Sequence, residues 1–303
     1  MSKRRDKSYP LDQCALYRCN TRKKLFKLLQ TSPEKFAELK TATDLYKPLK
    51  KKKKDGTFRT VLAPRGDLKR IQRRIGELLL RVKTPEYLMS PVRGRSNIDN
   101  AALHRGARAF HLLDIADFYP SCTASKVAWF FGQSLGCPSD VVKVLLDLTT
   151  LDGALPAGSP ASPSLAFWAY ADMWDEIDLL TSDAGCQVSV YVDDITVSGE
   201  SVPGALVHAI KERLAHHGHS YKASKEVCQI SAPVVVTGVV VREWTLLMPN
   251  VQHLARHKLR VEVERLPEGY EKAQKMASLA GRDGTERQIL LRNEVQSASS
   301  VPV

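Results

Sequence analysis

The sequence predicts an α+β fold in which short strands that end in acid are combined with amphipathic helices. In residues 188–198, β-branched and aromatic residues flank Asp193-Asp194, the pattern of a tight hairpin. A second short apolar strand is predicted at Ala109–Asp114, and it also ends in acid. Residues 67–83 carry apolar side chains with a helical period. With 303 residues, the chain is long enough for a core of two or three subdomains.

The charge of the chain points to a polyanionic partner. There are 45 Lys and Arg against 33 Asp and Glu, which gives a formal net charge of +12. This surplus favours nucleic acid as a partner, although a generic basic protein would have the same composition. The sequence has no apolar run of membrane-spanning length, so we expect no membrane-spanning helix and no membrane partner. The six cysteines have neither CxxC nor zinc-finger spacing, so we expect reduced thiols.

The acidic strand ends form the candidate active site. Asp114 lies at the carboxyl end of its strand, where a strand delivers a side chain to a site. Adjacent carboxylates such as Asp193 and Asp194 repel each other unless a divalent cation lies between them. An isolated Asp-Asp pair is more often a solvated turn, but the second acidic strand lowers the weight of that interpretation. Three carboxylates around one or two Mg²⁺ ions are what phosphoryl or nucleotidyl transfer needs.

Two further segments are candidates for contact with phosphates or bases. The lysine run 50–54 leads into an Asp55-Gly56 hairpin turn, and it is either a solvated charge run or a basic finger that reaches phosphates. Residues 153–163 are dense in Pro, Gly and Ser, and a helix is predicted to follow over 164–180. This segment is either a rigid loop before a core helix or a backbone platform for a nucleotide or template base.

Taken in order, these motifs resemble the fingers and palm of reverse transcriptases. The order is a basic finger strand, F-Y-P-S after an Asp, L-P-x-G-x-P-x-S-P and Y-V-D-D, and it covers residues 45–245. Residues 100–104 resemble the N-A-x-x-H signature of retron reverse transcriptases, and residues 236–238 resemble their V-T-G signature. The chain thus resembles a retron reverse transcriptase, a bacterial enzyme that makes multicopy single-stranded DNA (msDNA).

The resemblance implies a right-hand polymerase with fingers, a palm of antiparallel sheet and helices, and a small helical thumb. The implied regions are an N-terminal helical extension (1–48), fingers with part of the palm (49–108), a palm (109–243) with its motif-B loop and helix (153–180), and an RNA-binding thumb (244–303). From its residues alone, the basic helix predicted over 251–266 is equally a solvated helix. Residues 293–303 are expected to fray, and no room is expected for a ribonuclease H domain.

The resemblance also implies roles for individual residues of the candidate active site. Asp114, Asp193 and Asp194 match the catalytic, metal-binding triad, with the carbonyl of Ile115 as a further metal ligand. Tyr119 matches the steric gate, whose ring would clash with the 2′-OH of a ribonucleotide.

Other positions match contacts to the incoming nucleotide. Arg59 matches the finger arginine that pairs with the triphosphate, where a bidentate guanidinium suits phosphate. Lys225 matches a lysine that is a candidate general acid for pyrophosphate. Many reverse transcriptases carry Gln where this chain has Ala157, so Gly158 and backbone groups would have to make that contact. The residues that match RNA or primer contacts are Asn100, His104, Thr237 and Gly238.

The activity implied by the resemblance is RNA-directed DNA synthesis from dNTPs with two Mg²⁺ ions, or Mn²⁺ as a substitute. The implied template is a cognate noncoding RNA (msr-msd), and the DNA is primed from the 2′-OH of an internal guanosine. An effector protein encoded nearby, a role in anti-phage defence and a location in the bacterial cytoplasm are also implied.

Three alternatives stay open on the sequence. Another bacterial reverse transcriptase lineage, whether defence-associated, group II intron-like or CRISPR-linked, would share the triad but is not expected to carry both signatures. A catalytically silent RNA-binding scaffold is opposed by the intact triad and by Tyr119. An RNA-dependent RNA polymerase shares the palm chemistry, but an aromatic ring at Tyr119 leaves little room for a 2′-OH.

Overall fold

A computed structural model of the chain describes residues 8–52, 56 and 58–299. Its helices, in chain order, are α1 (Arg22–Leu28), α2 (Pro33–Thr41), α3 (Gly66–Leu79), α4 (Asn97–Ala102), α5 (Phe118–Ser121), α6 (Ala124–Trp129), α7 (Ser139–Thr149), α8 (Ser162–Ala169), α9 (Ala171–Asp183), α10 (Gly204–His216), α11 (Asn250–Arg265) and α12 (Tyr270–Ser299). Its strands are β1 (Tyr46–Lys52), β2 (Phe58–Pro64), β3 (Leu88–Ser90), β4 (Ala109–Asp114), β5 (Gln187–Tyr191), β6 (Asp194–Gly199), β7 (Val227–Ile230), β8 (Val234–Val236), β9 (Val239–Arg242) and β10 (Thr245–Leu247). This mixture of helices and antiparallel strands confirms the α+β prediction.

The chain divides into two compact units. The first unit comprises Met1–Arg93, Ile115–Asp178 and Ile210–Tyr221, and the second comprises Gly94–Asp114, Leu179–Ala209 and Lys222–Val303. Both units are therefore built from segments that are distant in sequence. The finer division into extension, fingers, palm and thumb stays a prediction.

The first unit contains the hairpin of β1 and β2. The two strands pair antiparallel from Tyr46 opposite Pro64 to Lys52 opposite Phe58. Gly56, between them, has φ +85°, a conformation that glycine adopts without strain. The predicted hairpin is therefore present. Of the predicted turn and lysine run, Lys53, Lys54 and Asp55 lie outside the described residues.

Helices form most of the rest of the first unit. The apolar stripe of α3 is buried, as its period predicted, but α3 ends at Leu79 rather than at residue 83. The single helix predicted over 164–180 is wrong, because α8 and α9 are separated at Tyr170. The hydroxyl of Tyr170 donates to the carbonyl of Ser121 at 3.0 Å and accepts from the amide of Thr123 at 3.2 Å. These two bonds tie the break to the segment after α5.

The second unit contains two antiparallel sheets. Four of its strands pair in the order β5-β6-β4-β7, and β8, β9 and β10 form a three-stranded sheet. A buried core of aliphatic side chains joins the three-stranded sheet to Phe110 of β4, Ile98 of α4 and Ile289 of α12. This core positions the strand that carries Asp114.

The last helix of the second unit is longer than the sequence suggested. Fraying was predicted from residue 293, but α12 continues to Ser299. The side chain of Asn293 accepts from the backbone amide of Leu246 in β10 at 3.0 Å and donates to the carbonyl of the same residue at 2.9 Å. The fraying prediction is therefore wrong as far as Ser299, and residues 300–303 lie outside the described part. Over the residues that the structure does describe, no helix combines the length and apolar character needed to cross a membrane.

Candidate active site

Three acidic residues lie near one another in the second unit, where β4 pairs with β6 and β5 turns into β6. The antiparallel register places Asp114 directly opposite Asp194, so their side chains lie on the same face of the sheet. Asp193 lies in the two-residue turn that joins β5 to β6. The structure therefore brings together the three carboxylates that the sequence singled out, and their catalytic role stays a prediction.

Burial and nearby negative charge raise the pKa of Asp193 and of Asp194. Burial and then repulsion from Asp114 raise the pKa of Asp193 above its usual value. Burial and then the charges of Asp193 and Asp114 raise the pKa of Asp194 to about 6. An opposite charge close to a carboxylate favours its ionised form. The strand ends therefore hold a concentration of negative charge that suits a cation.

Two lysines form ion pairs with the carboxylate of Asp114. The ammonium groups of Lys222 and Lys225 donate to the two carboxylate oxygens, Oδ1 and Oδ2 respectively. The amide of Lys222 also donates to the carbonyl of Asp114 at 2.8 Å. Residues three apart eclipse each other in the 3₁₀ turn Ala223–Lys225 and the residue before it, so both side chains point the same way. The hydrogen bond to Asp114 raises the pKa of Lys225.

Lys222 is a residue that the sequence reasoning missed. Its spacing of three residues from Lys225 is a usable signal, because basic residues one 3₁₀ turn apart can engage the same carboxylate.

The carboxylate oxygens of this site are donors that suit a divalent cation. Mg²⁺ prefers carboxylate oxygens and keeps waters and substrate phosphates as its remaining ligands. Within residues 8–52, 56 and 58–299, however, no three His, Cys, Asp or Glu side chains converge closely enough to hold a metal ion. Both oxygens of Asp114 are engaged by lysines. Asp114 would have to exchange a lysine for a cation.

The turn that carries Asp193 has a strained backbone. Val192 is the first of the two residues between the paired Tyr191 and Asp194, and its φ is +63°. A positive φ at this position is typical of the type II′ hairpin turn, where glycine is preferred. A β-branched residue in this conformation costs on the order of 1–3 kcal/mol. The geometry of the carboxylate-bearing turn is therefore imposed by the surrounding structure.

The predicted nucleotide contacts other than Lys225 belong to the first unit. Tyr119 lies in α5, half-buried, with its ring centroid 5.6 Å from that of Phe118. The backbone of Arg59 pairs with Lys51 in the hairpin, and its side chain lies outside the part that the structure describes. Ile115, the residue that follows β4 in the chain, is fully buried. The roles of these three residues in substrate or metal binding stay predictions.

Gly158 has a clear structural reason to be glycine. A Cβ at this position would lie 2.9 Å from the Cα of Ala63 and closer still to the carbonyl of Leu62, so the loop packs directly on the backbone of β2. The neighbouring Ala157 is exposed. The predicted backbone platform is therefore held against the hairpin, while contact with a nucleotide stays a prediction.

The four predicted RNA or primer contacts differ in their exposure. Asn100 and His104 are each 1% exposed, which argues against direct contact between their side chains and an RNA. Thr237 and Gly238 are half-buried in the turn between β8 and β9. Direct RNA contact stays a prediction for all four and is better supported for the turn.

Comparison with known proteins identifies a family. A sequence profile described as "Reverse transcriptase (RNA-dependent DNA polymerase)" matches residues 50–241. Retron Se72 reverse transcriptase from Salmonella heidelberg (strain 579083-10) is 32% identical over 143 residues, which are 47% of this chain and 38% of that protein. Retron Ec86 reverse transcriptase from Escherichia coli is 30% identical over 155 residues, 51% of this chain and 48% of that protein.

A third relative extends the comparison to another organism. Retron Mx162 reverse transcriptase from Myxococcus xanthus is 28% identical over 164 residues, 48% of this chain and 34% of that protein. This chain therefore spans less than half of the length of each of the three relatives. The resemblance to retron reverse transcriptases that the motifs indicated is confirmed. With the family profile matching more than half of its residues, the chain belongs to the reverse transcriptase (RNA-dependent DNA polymerase) family.

Proposed function

We propose that this chain is an RNA-directed DNA polymerase of a bacterial retron. The observation that carries the proposal is the juxtaposition of Asp114 and Asp194 on paired strands, with Asp193 in the adjoining turn. Burial and repulsion from neighbouring carboxylates raise the pKa values of Asp193 and Asp194, as is common at functional sites. The similarity to three retron reverse transcriptases supports the retron assignment.

The proposed reaction is attack of a primer hydroxyl on the α-phosphorus of a dNTP, with pyrophosphate as the leaving group. Two Mg²⁺ ions held by Asp114, Asp193 and Asp194 would activate the primer hydroxyl and neutralise the leaving pyrophosphate. The carboxylates also orient the reacting groups, since their strand ends are fixed by the β4–β6 register.

Lys225 is the proposed proton donor to pyrophosphate. Its hydrogen bond to Asp114 raises its pKa, so the ammonium form is retained at neutral pH. A general acid must be protonated before it acts and must lie close to the reacting groups. Arg59 and Tyr119 are the proposed contacts to the triphosphate and to the sugar of the dNTP.

The finer biological role rests on the two signatures and on the relatives. We propose that the template is a cognate msr-msd RNA, that synthesis begins at the 2′-OH of an internal guanosine, and that the product is msDNA. A nearby effector, a role in anti-phage defence and a cytoplasmic location belong to the same proposal. The net charge of +12 supports a nucleic-acid partner.

The chemistry is tested with purified protein, a synthetic RNA template, an annealed DNA primer and labelled dNTPs. We expect primer extension with Mg²⁺, and loss of extension on chelation or in the Asp193→Asn and Asp194→Asn variants. Binding of the labelled RNA should be retained in both variants. Extension that persists in either variant would remove that carboxylate from the catalytic assignment.

The retron assignment needs a separate experiment. The gene is expressed in a bacterium with its flanking DNA, and total nucleic acid is separated on a denaturing gel with and without debranching enzyme and ribonuclease. A short single-stranded DNA that shifts on debranching, and that is lost with Asp193→Asn, is the expected result. Extension in vitro without such a DNA would favour another reverse transcriptase lineage with a different primer.

A further inference from the structure

The two retron signatures contact each other inside the second unit. The side-chain amide of Asn100 donates to the hydroxyl of Thr237 at 3.1 Å. The side-chain amide of Asn97 donates to the backbone carbonyl of Thr237 at 3.1 Å, and the Thr237 hydroxyl donates to the backbone carbonyl of Asn97, also at 3.1 Å. The turn between β8 and β9 is thus fastened to α4 through both its main chain and its side chain.

The backbone of this turn is strained at Thr237. Thr237 and Gly238 join the paired Val236 and Val239, and their φ values are +44° and +84°. Positive φ at both central residues is typical of a type I′ turn, which favours Asn-Gly or Gly-Gly. Threonine is strained in this conformation because it is β-branched. Its hydroxyl makes two of the bonds to α4 and offsets part of that strain.

At the far end of the same segment, His104 is bonded to the catalytic hairpin. Its Nδ1 lies 2.7 Å from the hydroxyl of Ser198 and its Nε2 lies 2.7 Å from the hydroxyl of Ser189. The ring is 1% exposed, and burial lowers its pKa to about 3. A neutral ring offers one donor and one acceptor, and a hydroxyl can complement either. Ser189 and Ser198 are also buried, so both hydroxyls depend on this ring.

The two serines lie on the strands that present the catalytic carboxylates. Ser189 is in β5, and Ser198 is in β6, whose first residue is Asp194. Asp194 and Ser198 share a face of the sheet because they are an even number of residues apart. At about 3.3 Å per residue, Ser198 lies roughly 13 Å along the strand from Asp194. The ring of His104 is therefore remote from the reacting atoms.

The segment between the two contacts is itself held firmly. Helix α4 is too short to be stable alone, but the Ser96 side chain and Asp99 form a capping box at its N-terminus. Asp99 also forms an ion pair with Arg292 of α12. Residues 97–104 can therefore keep the contacts at their two ends at a fixed distance from each other.

We propose that residues 97–104 form a brace, with Asn100 and His104 as positioning residues that hold the Thr237-Gly238 turn and the catalytic hairpin in fixed relation. This inference rests on the proposed polymerase function and assigns the N-A-x-x-H signature an internal role in place of RNA contact. Asn100 acts through Thr237, and His104 acts through Ser189 and Ser198. Neither side chain touches substrate.

The His104 contact is tested by steady-state extension of a synthetic primer on an RNA template. We expect His104→Ala to lower kcat by about 10- to 100-fold, because small displacements of catalytic groups have effects of this size. The KM for dNTP should stay within about twofold, since the ring is remote from the nucleotide. Added imidazole should restore part of kcat by refilling the cavity between the two serines.

The matched control is Leu25→Ala, which removes a fully buried side chain from α1, a helix of the first unit. It should lower the melting temperature while kcat stays near the wild-type value at a temperature where both variants are folded. If His104→Ala does not fold, the Ser189→Ala/Ser198→Ala double variant removes the same bonds with little change in volume, and the same loss of kcat is expected. A kcat equal to that of the control, or no response to imidazole, would overturn the positioning role.

The Thr237 contact is tested by a double-mutant cycle. Thr237→Val removes the hydroxyl and keeps the shape, and it should raise the KM for primer–template by about tenfold, whereas Thr237→Ser should keep it within about twofold. Because Asn100 acts through Thr237, the double variant Asn100→Ala/Thr237→Val should raise the KM for primer–template no more than the worse of the two single variants does. If the effects of the two substitutions on this KM were additive in free energy, the two residues would contact nucleic acid independently, and this result would overturn the brace. Wild-type protein with no extension activity would instead overturn the proposed function itself.

Discussion

Lys225 forms an ion pair with Asp114, so the proposed general acid and a proposed metal ligand are direct partners. Lys222 pairs with the other oxygen of the same carboxylate. Lysine ammonium groups thus occupy the oxygens of Asp114 that the proposed mechanism assigns to a cation. Both lysines hold the carboxylate of Asp114 in place, and we expect only Lys225 to have a chemical role as well.

Lys225→Ala is expected to slow nucleotide incorporation more than Lys222→Ala does. Loss of a general acid typically lowers the rate by about 10²–10⁴-fold, whereas loss of one of two ionic partners of Asp114 should cost far less. Single-turnover incorporation at saturating dNTP and Mg²⁺ measures the chemical step directly. Equal losses in the two variants would mean that both lysines serve only to hold Asp114.

Asp194 should make the free energy of unfolding depend on pH when divalent cations are absent. Its pKa is about 6 in the folded chain against 3.8 for an unperturbed carboxyl, so the folded state binds the proton more tightly. The stabilising contribution is fully present below about pH 3.8 and is lost as the pH rises through 6. The loss is on the order of 2–3 kcal/mol, at about 1.4 kcal/mol for each pKa unit.

The matched variant for this effect is Asp194→Asn, which keeps the shape and removes the titration. In EDTA, denaturant unfolding between pH 4 and pH 7 should show a smaller loss of stability in the variant, which should also be more stable than wild type at pH 7. Parallel curves for the two proteins would contradict the assignment of the raised pKa to Asp194.

Much of the site could be predicted because strand patterns report register and position. Runs of β-branched, aromatic and apolar residues placed Asp114 and Asp193-Asp194 at strand ends, and antiparallel pairing brings them together in the structure. The α+β class and the hairpin of β1 and β2 followed from the same signals.

The remainder depended on contacts between distant segments, which periodicity does not encode. At the helix break, the hydroxyl of Tyr170 bonds to residues about fifty positions away, and the side chain of Asn293 in α12 bonds to β10. The burial of His104 between two serines is of the same kind, since a lone histidine gives no sign of its partners. The helix predicted from local sequence at α3 was too long by about one turn at its C-terminal end, because periodicity alone does not fix where a helix ends.

Gly158→Ala should destabilise the protein by about 1–3 kcal/mol, the usual cost of forcing extra atoms into a packed site. The added Cβ would meet the backbone of β2 at Leu62 and Ala63, which cannot move without disturbing the hairpin. Denaturant unfolding measures the change. The control is Ala157→Gln at the exposed neighbouring position, which should leave stability within about 0.5 kcal/mol. A neutral Gly158→Ala would show that the loop does not pack on β2 as described.

Tyr119→Ala should relax the choice between dNTPs and rNTPs, because removal of the ring opens space for a 2′-OH. The ratio of kcat/KM values for dNTP over rNTP is expected to fall by roughly 10- to 100-fold, the discrimination that steric exclusion of a small group provides. Extension with each nucleotide alone on one RNA template gives the ratio. Tyr119→Phe is the matched control, since it keeps the ring and should keep the ratio, so that a fall in both variants would assign discrimination to the hydroxyl. An unchanged ratio in Tyr119→Ala would remove Tyr119 from the gate and reopen the RNA polymerase alternative.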